Sequence, residues 1–186
     1  MITRRKLLQA GGIWLAGLTL GRFAWSSEKE DVVEIRMISD PSGAFVAFDP
    51  IGLRVRPGTR IRWINANNNV HTATAYHPTN DRHALRIPSG AKPWDSGYLL
   101  HSGDRFELEF TVEGVYDYYC KPHESAGMVG RIVVAEPGKM DQAAFEPYPP
   151  DSGRPEWKKI PEAALKNFPP VEAVLRNGRI DAAHRR

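Results

Sequence analysis

The chain has 186 residues, 41% hydrophobic and 25% charged, which allows one domain of ordinary size with extensions and fits a globular core rather than a disordered chain. A sequence pI near 9.1 invites a polyanion-binding reading. However, Arg4, Arg5, Lys6 and Arg22 all lie in the first 26 residues, which hold no acid; without that segment the net charge falls from +3 to −1, and nucleic-acid binding loses its basis. The single cysteine, Cys120, excludes an internal disulfide and leaves metal binding, redox chemistry or packing as its role.

In chain order, a short basic stretch precedes an apolar run from Ala10 to Leu20. That is the length of a signal-peptide core and too short to span a bilayer comfortably. Small residues at Ala24 and Ser26 place the expected cleavage after Ser26, so residues 1–26 form a signal peptide. Arg4-Arg5, followed by Lys6-Leu7-Leu8, resembles the twin-arginine export signal. That resemblance implies a protein translocated already folded, to the periplasm or an equivalent compartment. An uncleaved signal would leave it attached to the membrane; the mature chain has no stable span.

From Val32 the pattern turns to short β-rich runs: VVEIRMI, AFVAF, LRVRPG, RIRWINAN, HTATAY, RFELEFTV, VYDYYC and VGRIVVA. Gly, Pro, Asn or Asp separates most of them, and helical periodicity is lacking. An all-β sandwich over residues 27–135 is expected. Within it, LRVRPGTRIRWI alternates apolar and charged residues and predicts an antiparallel strand pair turning at Pro57-Gly58. The segment Tyr76 to Gly103 predicts a surface excursion with a short helix around Asp81–Leu85. After Ala135 the texture becomes proline-rich and charged. Residues 136–186 are expected to form a C-terminal extension lying along the domain, without a core of its own. PEAALKN and VEAVLRNG are its two short helices, the second ended by Gly178.

The chemistry concentrates in YDYYCKPHESAGM, residues 116–128. Cys120, His123 and Met128 place a thiolate, an imidazole and a thioether within nine residues. Such a soft donor set suits copper better than magnesium or calcium. A second imidazole completes a His₂Cys site with a weak axial thioether, and His71, beside the turn Asn67-Asn68-Asn69, is the best candidate. His77 is too far along an extended strand to reach the same ion, about 20 Å beyond His71 at roughly 3.3 Å per residue. His77 and His83 are expected as exposed loop residues, although their six-residue recurrence with His71 leaves a second metal site on the 76–103 loop open. His101 and His184 carry no signal. Lys121 and Glu124 are expected as solvated charges at the mouth of the site, and the tyrosines Tyr116, Tyr118 and Tyr119 as sandwich packing.

The segments VRPGTRIRWINANNNVHT and GDRFELEFTVEGVYDYYCKPHESAGMVGRIVV are similar to the cupredoxins, in particular the plastocyanin, pseudoazurin and halocyanin branch. The resemblance covers about Val32 to Ala135. It implies a Greek-key β-sandwich with one type 1 (blue) copper ion at one end, held by His71, Cys120, His123 and Met128. One-electron transfer without substrate chemistry follows from it. The implied partners are redox proteins, such as a cytochrome or a copper or haem enzyme, docking transiently at the His123 end of a monomer. One departure stands out: many relatives carry Asn directly after the first His, where this chain has Thr72. Two other functions compete. A copper carrier or sensor would be marked by Met- or His-rich tracts, which the sequence lacks. A small copper oxidoreductase would need further ligands, and neither a His beside Cys120 nor a His-x-His pair is present.

Overall fold

A computed structural model describes residues 32–138, 145–146, 148–149 and 154–182; the expected signal segment 1–26 and His184 lie outside the described residues. The strands are β1 (Val32–Ser39), β2 (Val46–Asp49), β3 (Gly52–Val55), β4 (Thr59–Asn65), β5 (Thr74–Ala75), β6 (Arg105–Phe110), β7 (Gly114–Tyr119), β8 (Val129–Val134) and β9 (Arg179–Ile180); α1 spans Glu162–Asn167 and α2 Val171–Asn177. They build a four-stranded sheet in the order β2-β1-β4-β6 and a five-stranded sheet in the order β5-β7-β8-β3-β9.

The period of two in the sequence sets the core. In β4, Ile61, Trp63 and Asn65 turn inward while the residues between them are only half-buried. Ile35 and Met37 of β1 join them, and from the other sheet come Leu53, Val55, Tyr116, Tyr118, Ile132 and Val134. The two sheets therefore pack face to face, as in a β-sandwich. Trp63 sits at the middle, its ring 5.5–6.1 Å from those of Trp94, Phe106, Phe110 and Tyr118.

The expected hairpin across Pro57-Gly58 does not form. β4 lies between β1, which it pairs in parallel, and β6, while β3 lies between β8 and β9 in the opposite sheet. The Pro57-Gly58 turn instead carries the chain from one sheet to the other; Gly58 has φ +85°, and its amide donates to the Phe110 carbonyl at 2.7 Å. Alternation reports which face of a strand is buried, not which strand it pairs with. The HTATAY run gives only the two-residue β5, with bridges from His71 to Leu99 and from Thr74 to Asp95. The helix expected at Asp81–Leu85 is absent: Asp81 and Arg82 have positive φ values of 55° and 57°, outside the right-handed helical region.

All six residues of β7 and all six of β8 are buried. One face of these strands looks into the sandwich; the C-terminal segment covers the other. Val115, Val133 and Ala135 pack on Phe145, Val171, Val174 and Leu175, while Tyr119 and Val129 pack on Ile160, Ala164 and Phe168. The segment ends by adding β9 to the sheet edge at β3. Beneath it the Asp117 carboxylate accepts from Arg86 Nε at 2.9 Å and from Arg131 Nε at 2.7 Å. Each guanidinium also donates to a carbonyl of the covering segment, Arg86 to Pro149 at 2.8 Å and Arg131 to Pro169 at 2.7 Å. Both stack on Phe168, 5.0 Å from its ring centre.

Candidate metal centre

Two stretches meet at one end of the sandwich. The first is anchored by Asn65, which occupies the inward slot at the end of β4 and is fully buried. A buried amide must find partners. Its Nδ2 donates to the Asn69 and Leu99 carbonyls at 2.8 and 3.0 Å, and the Leu99 backbone is doubly bonded to His71, N to O at 3.1 and 2.9 Å. Asn65 thus fixes the loop that presents His71. The second stretch begins where β7 ends. Cys120 precedes a 3-10 helix, Lys121–Ala126, with Pro122 at its start. The loop closes on its own backbone: His123 N donates to Cys120 O, Met128 N to His123 O, and Cys120 N to Met128 O, at 3.0–3.1 Å. Cys120, His123 and Met128 are brought together by these bonds.

Side-chain atoms of His71, Cys120 and His123 lie within 4.8 Å of one another, and among the described residues no other group of His, Cys, Asp and Glu does so. Both imidazoles turn Nδ1 toward the sulfur, His71 at 3.7 Å and His123 at 3.4 Å from Cys120 Sγ. His71, Cys120 and Met128 are fully buried, and Met128 belongs to the same apolar cluster as Cys120; His123 is half-buried. Thr72 ties the two stretches. Its amide donates to Cys120 Sγ at 3.4 Å, and its hydroxyl accepts from the Lys121 amide at 2.9 Å. The residue that departs from the expected Asn therefore still links the loops.

Burial sets the protonation states. It pushes the Cys120 thiol up to about 12, against the amides of Thr72 and His123, which favour the thiolate. It also lowers His71 to about 4, with the neighbouring His123 adding to the effect, and lowers His123. At neutral pH the pocket therefore offers two neutral imidazoles, the form that binds metal. Its thiol gives up the proton when a metal cation takes its place. A buried sulfur facing two Nδ1 atoms, with a thioether in the same loop, fits a soft, copper-type donor set.

Two expectations need correction. Glu124 is not a solvated charge but only 3% exposed. Its carboxylate accepts from Tyr76 OH at 2.9 Å and pairs with His83 Nε2 at 3.4 Å and Lys158 Nζ at 3.3 Å. Burial opposes its ionisation, yet bonds from His83 and Tyr76 carry its carboxyl below the usual value. His83 is likewise not an exposed loop residue; it is fully buried, its ring 4.5 Å from Tyr119 and 5.1 Å from Tyr76. The covering segment lies against both: Lys158 Nζ reaches Glu124, Lys158 forms a single parallel β-bridge with His83, and its amide donates to Arg82 O at 2.8 Å. His77 is half-buried and bonded to Thr79 at 2.8 Å. Lys121 pairs with Asp95 at 2.7 Å and with Asp81 at 3.5 Å. The role of Asn65 was missed although the signal existed: it stands in the inward register of Ile61 and Trp63. Nothing in the sequence marked the partners of Glu124, which come from two distant segments, Tyr76 and His83 from the 76–103 excursion and Lys158 from the C-terminal extension.

Comparison with known proteins agrees with this geometry. Residues 35–135 match the family model of copper binding proteins, plastocyanin/azurin family. A chloroplastic plastocyanin from Tetradesmus obliquus is 28% identical over 130 residues, covering 70% of this chain and 81% of its own. A plastocyanin from Scenedesmus fuscus is 30% identical over 105 residues, covering 55% of this chain and 98% of its own. Among solved structures, a pseudoazurin from Sinorhizobium meliltoi shares the fold with TM-score 0.50 and 24% identity, over 79% of this chain and 98% of that one.

Proposed function

The chain belongs to the plastocyanin/azurin family of copper-binding, electron-transfer proteins, and from that premise we propose that it is an exported carrier of single electrons whose ligands are His71, Cys120, His123 and Met128. The observation that carries the assignment is the convergence of two imidazole Nδ1 atoms on one buried thiol. Copper supplies the redox chemistry, alternating between Cu(I) and Cu(II) on a donor set that both states tolerate.

The chain's own residues do the rest. Cys120 Sγ offers a thiolate once its proton is displaced. His71 and His123 offer Nδ1 in the neutral form that burial favours, and Met128 a buried thioether. Asn65 and Thr72 hold the two stretches in place, so that neither ligand loop need rearrange when charge changes. Burial of His71, Cys120 and Met128 excludes water. The half-exposed His123 is the edge through which an electron enters or leaves, to a redox partner such as a cytochrome or a copper or haem enzyme, docked transiently to a monomer.

Residues 1–26 act as a twin-arginine-type signal, residues 27–135 as the cupredoxin domain and 136–186 as its covering extension. Export is supported by the sequence of that leader; among the described residues no helix is long and apolar enough to cross a membrane.

The carrier reading is tested by repeated reduction and oxidation of the copper-loaded chain in the presence of a Cu(I) chelator. The copper is expected to stay bound through the cycles. Stripping of the metal at the first reduction would replace the electron carrier with a carrier of copper.

A further inference from the structure

The two halves of the metal centre are held by different parts of the chain. His71 and Cys120 are fixed from within the sandwich, by Asn65, Thr72 and the end of β7. The arc from His123 to Met128 has its own backbone bonds, and beyond those it rests on residues outside the ligand loop. Glu124 directly follows one proposed ligand, and its carboxylate meets Tyr76 OH, His83 Nε2 and Lys158 Nζ. Gly127 directly precedes another, and its carbonyl accepts from Asn167 Nδ2 at 2.9 Å. Helix α1 lies so close to Gly127 that a Cβ there would collide with the Asn167 side chain and press on the Ala163 carbonyl; Gly127 also has φ +85°. A side chain at this position is therefore excluded twice.

We propose that the C-terminal covering segment, through Lys158 and Asn167, is a positioning element of the metal centre. It grips the residue after His123 and the residue before Met128, and so sets where those two donors stand relative to Cys120 and His71. The inference rests on the ligand assignment above and deepens it. Lys158 and Asn167 act through Glu124 and Gly127, to which they are bonded. Partners bonded directly to metal ligands typically govern metal affinity by factors of 10–100; these two act one residue removed and lie 30 and 39 residues beyond Met128 in sequence.

The test compares the copper-loaded full chain with Lys158→Ala, Asn167→Ala, their double variant, and Val174→Ala. Val174, on the buried face of α2, packs in the cluster with Val115 and Val133; its truncation loosens the same segment away from the ligand loop. Three quantities are read: the visible thiolate-to-copper bands, the reduction potential, and the rate of copper loss to a chelator. The double variant is expected to shift the band ratio and the potential, and to release copper on the order of tenfold faster. Lys158→Arg restores the Lys158→Ala change. Val174→Ala is expected to lower the unfolding midpoint with bands and potential unchanged. If the double variant matches the unsubstituted chain in bands, potential and release rate, or if Val174→Ala shifts them equally, the segment merely stabilises the fold and the inference fails. An unsubstituted chain without an intense thiolate-to-copper band instead overturns the ligand assignment itself.

Discussion

The two sheets pack face to face across one core, yet their outer faces meet different surroundings. The β2-β1-β4-β6 sheet has one wet face, where Arg62 bridges Glu34 and Glu107 across three strands at 3.2 and 2.6 Å. The β5-β7-β8-β3-β9 sheet is covered on both sides in its central strands, with a buried Arg86–Asp117–Arg131 network where the first sheet has solvent. The wet face can stabilise little, because exposed pairs contribute about 0–1 kcal/mol. The covered face contributes apolar burial and also carries an obligation: any charge left there unpaired is expensive.

The contrast can be broken most severely by ending the chain at Ala135. That removes Ile160, Phe168, Val171, Val174 and Leu175 from the outer face, each worth about 1.5–3 kcal/mol of burial. The sum is comparable with the whole stability of a domain, so the shortened chain is expected to lose its cooperative thermal transition and to aggregate. Next in size is Asp117→Ala, which leaves two buried guanidinium groups without their carboxylate. About 3–5 kcal/mol should be lost in urea unfolding. Leu175→Ala, on the buried face of α2 and 6% exposed, is expected to cost roughly 3 kcal/mol by the same measurement. On the wet face, Arg62→Ala should leave the urea midpoint where it is. A large loss there, or a negligible one at Asp117, would erase the distinction between the sheets.

The same contrast explains what the sequence disclosed. The strands of the wet sheet were legible because alternation is a local signal: RIRWIN predicts both β4 and its inward residues. The ligand loop was legible for a related reason, since Cys120, His123 and Met128 sit within nine residues and close on one another by backbone bonds. Pairing was not local. The same alternation that revealed β3 and β4 gave no hint that they belong to opposite sheets. The covered sheet announced itself only as the continuous apolar run of GRIVVA and the string VYDYY. Such runs show that both faces are buried but not by what. Glu124 and His83 read as solvent-facing because their partner Lys158 arrives from a segment whose composition looks like a tail. Buried ion pairs and long-range covers of this kind carry no period, so only the folded chain reveals them.

The claim at the centre, that Cys120 with His71, His123 and Met128 forms a redox-active copper site, is tested most directly by visible absorption of the Cu(II)-loaded chain beside Cys120→Ser. An intense thiolate-to-copper band, absent from the variant and reversibly bleached by reductant, is the expected result. A weak spectrum that the substitution leaves unchanged would contradict it.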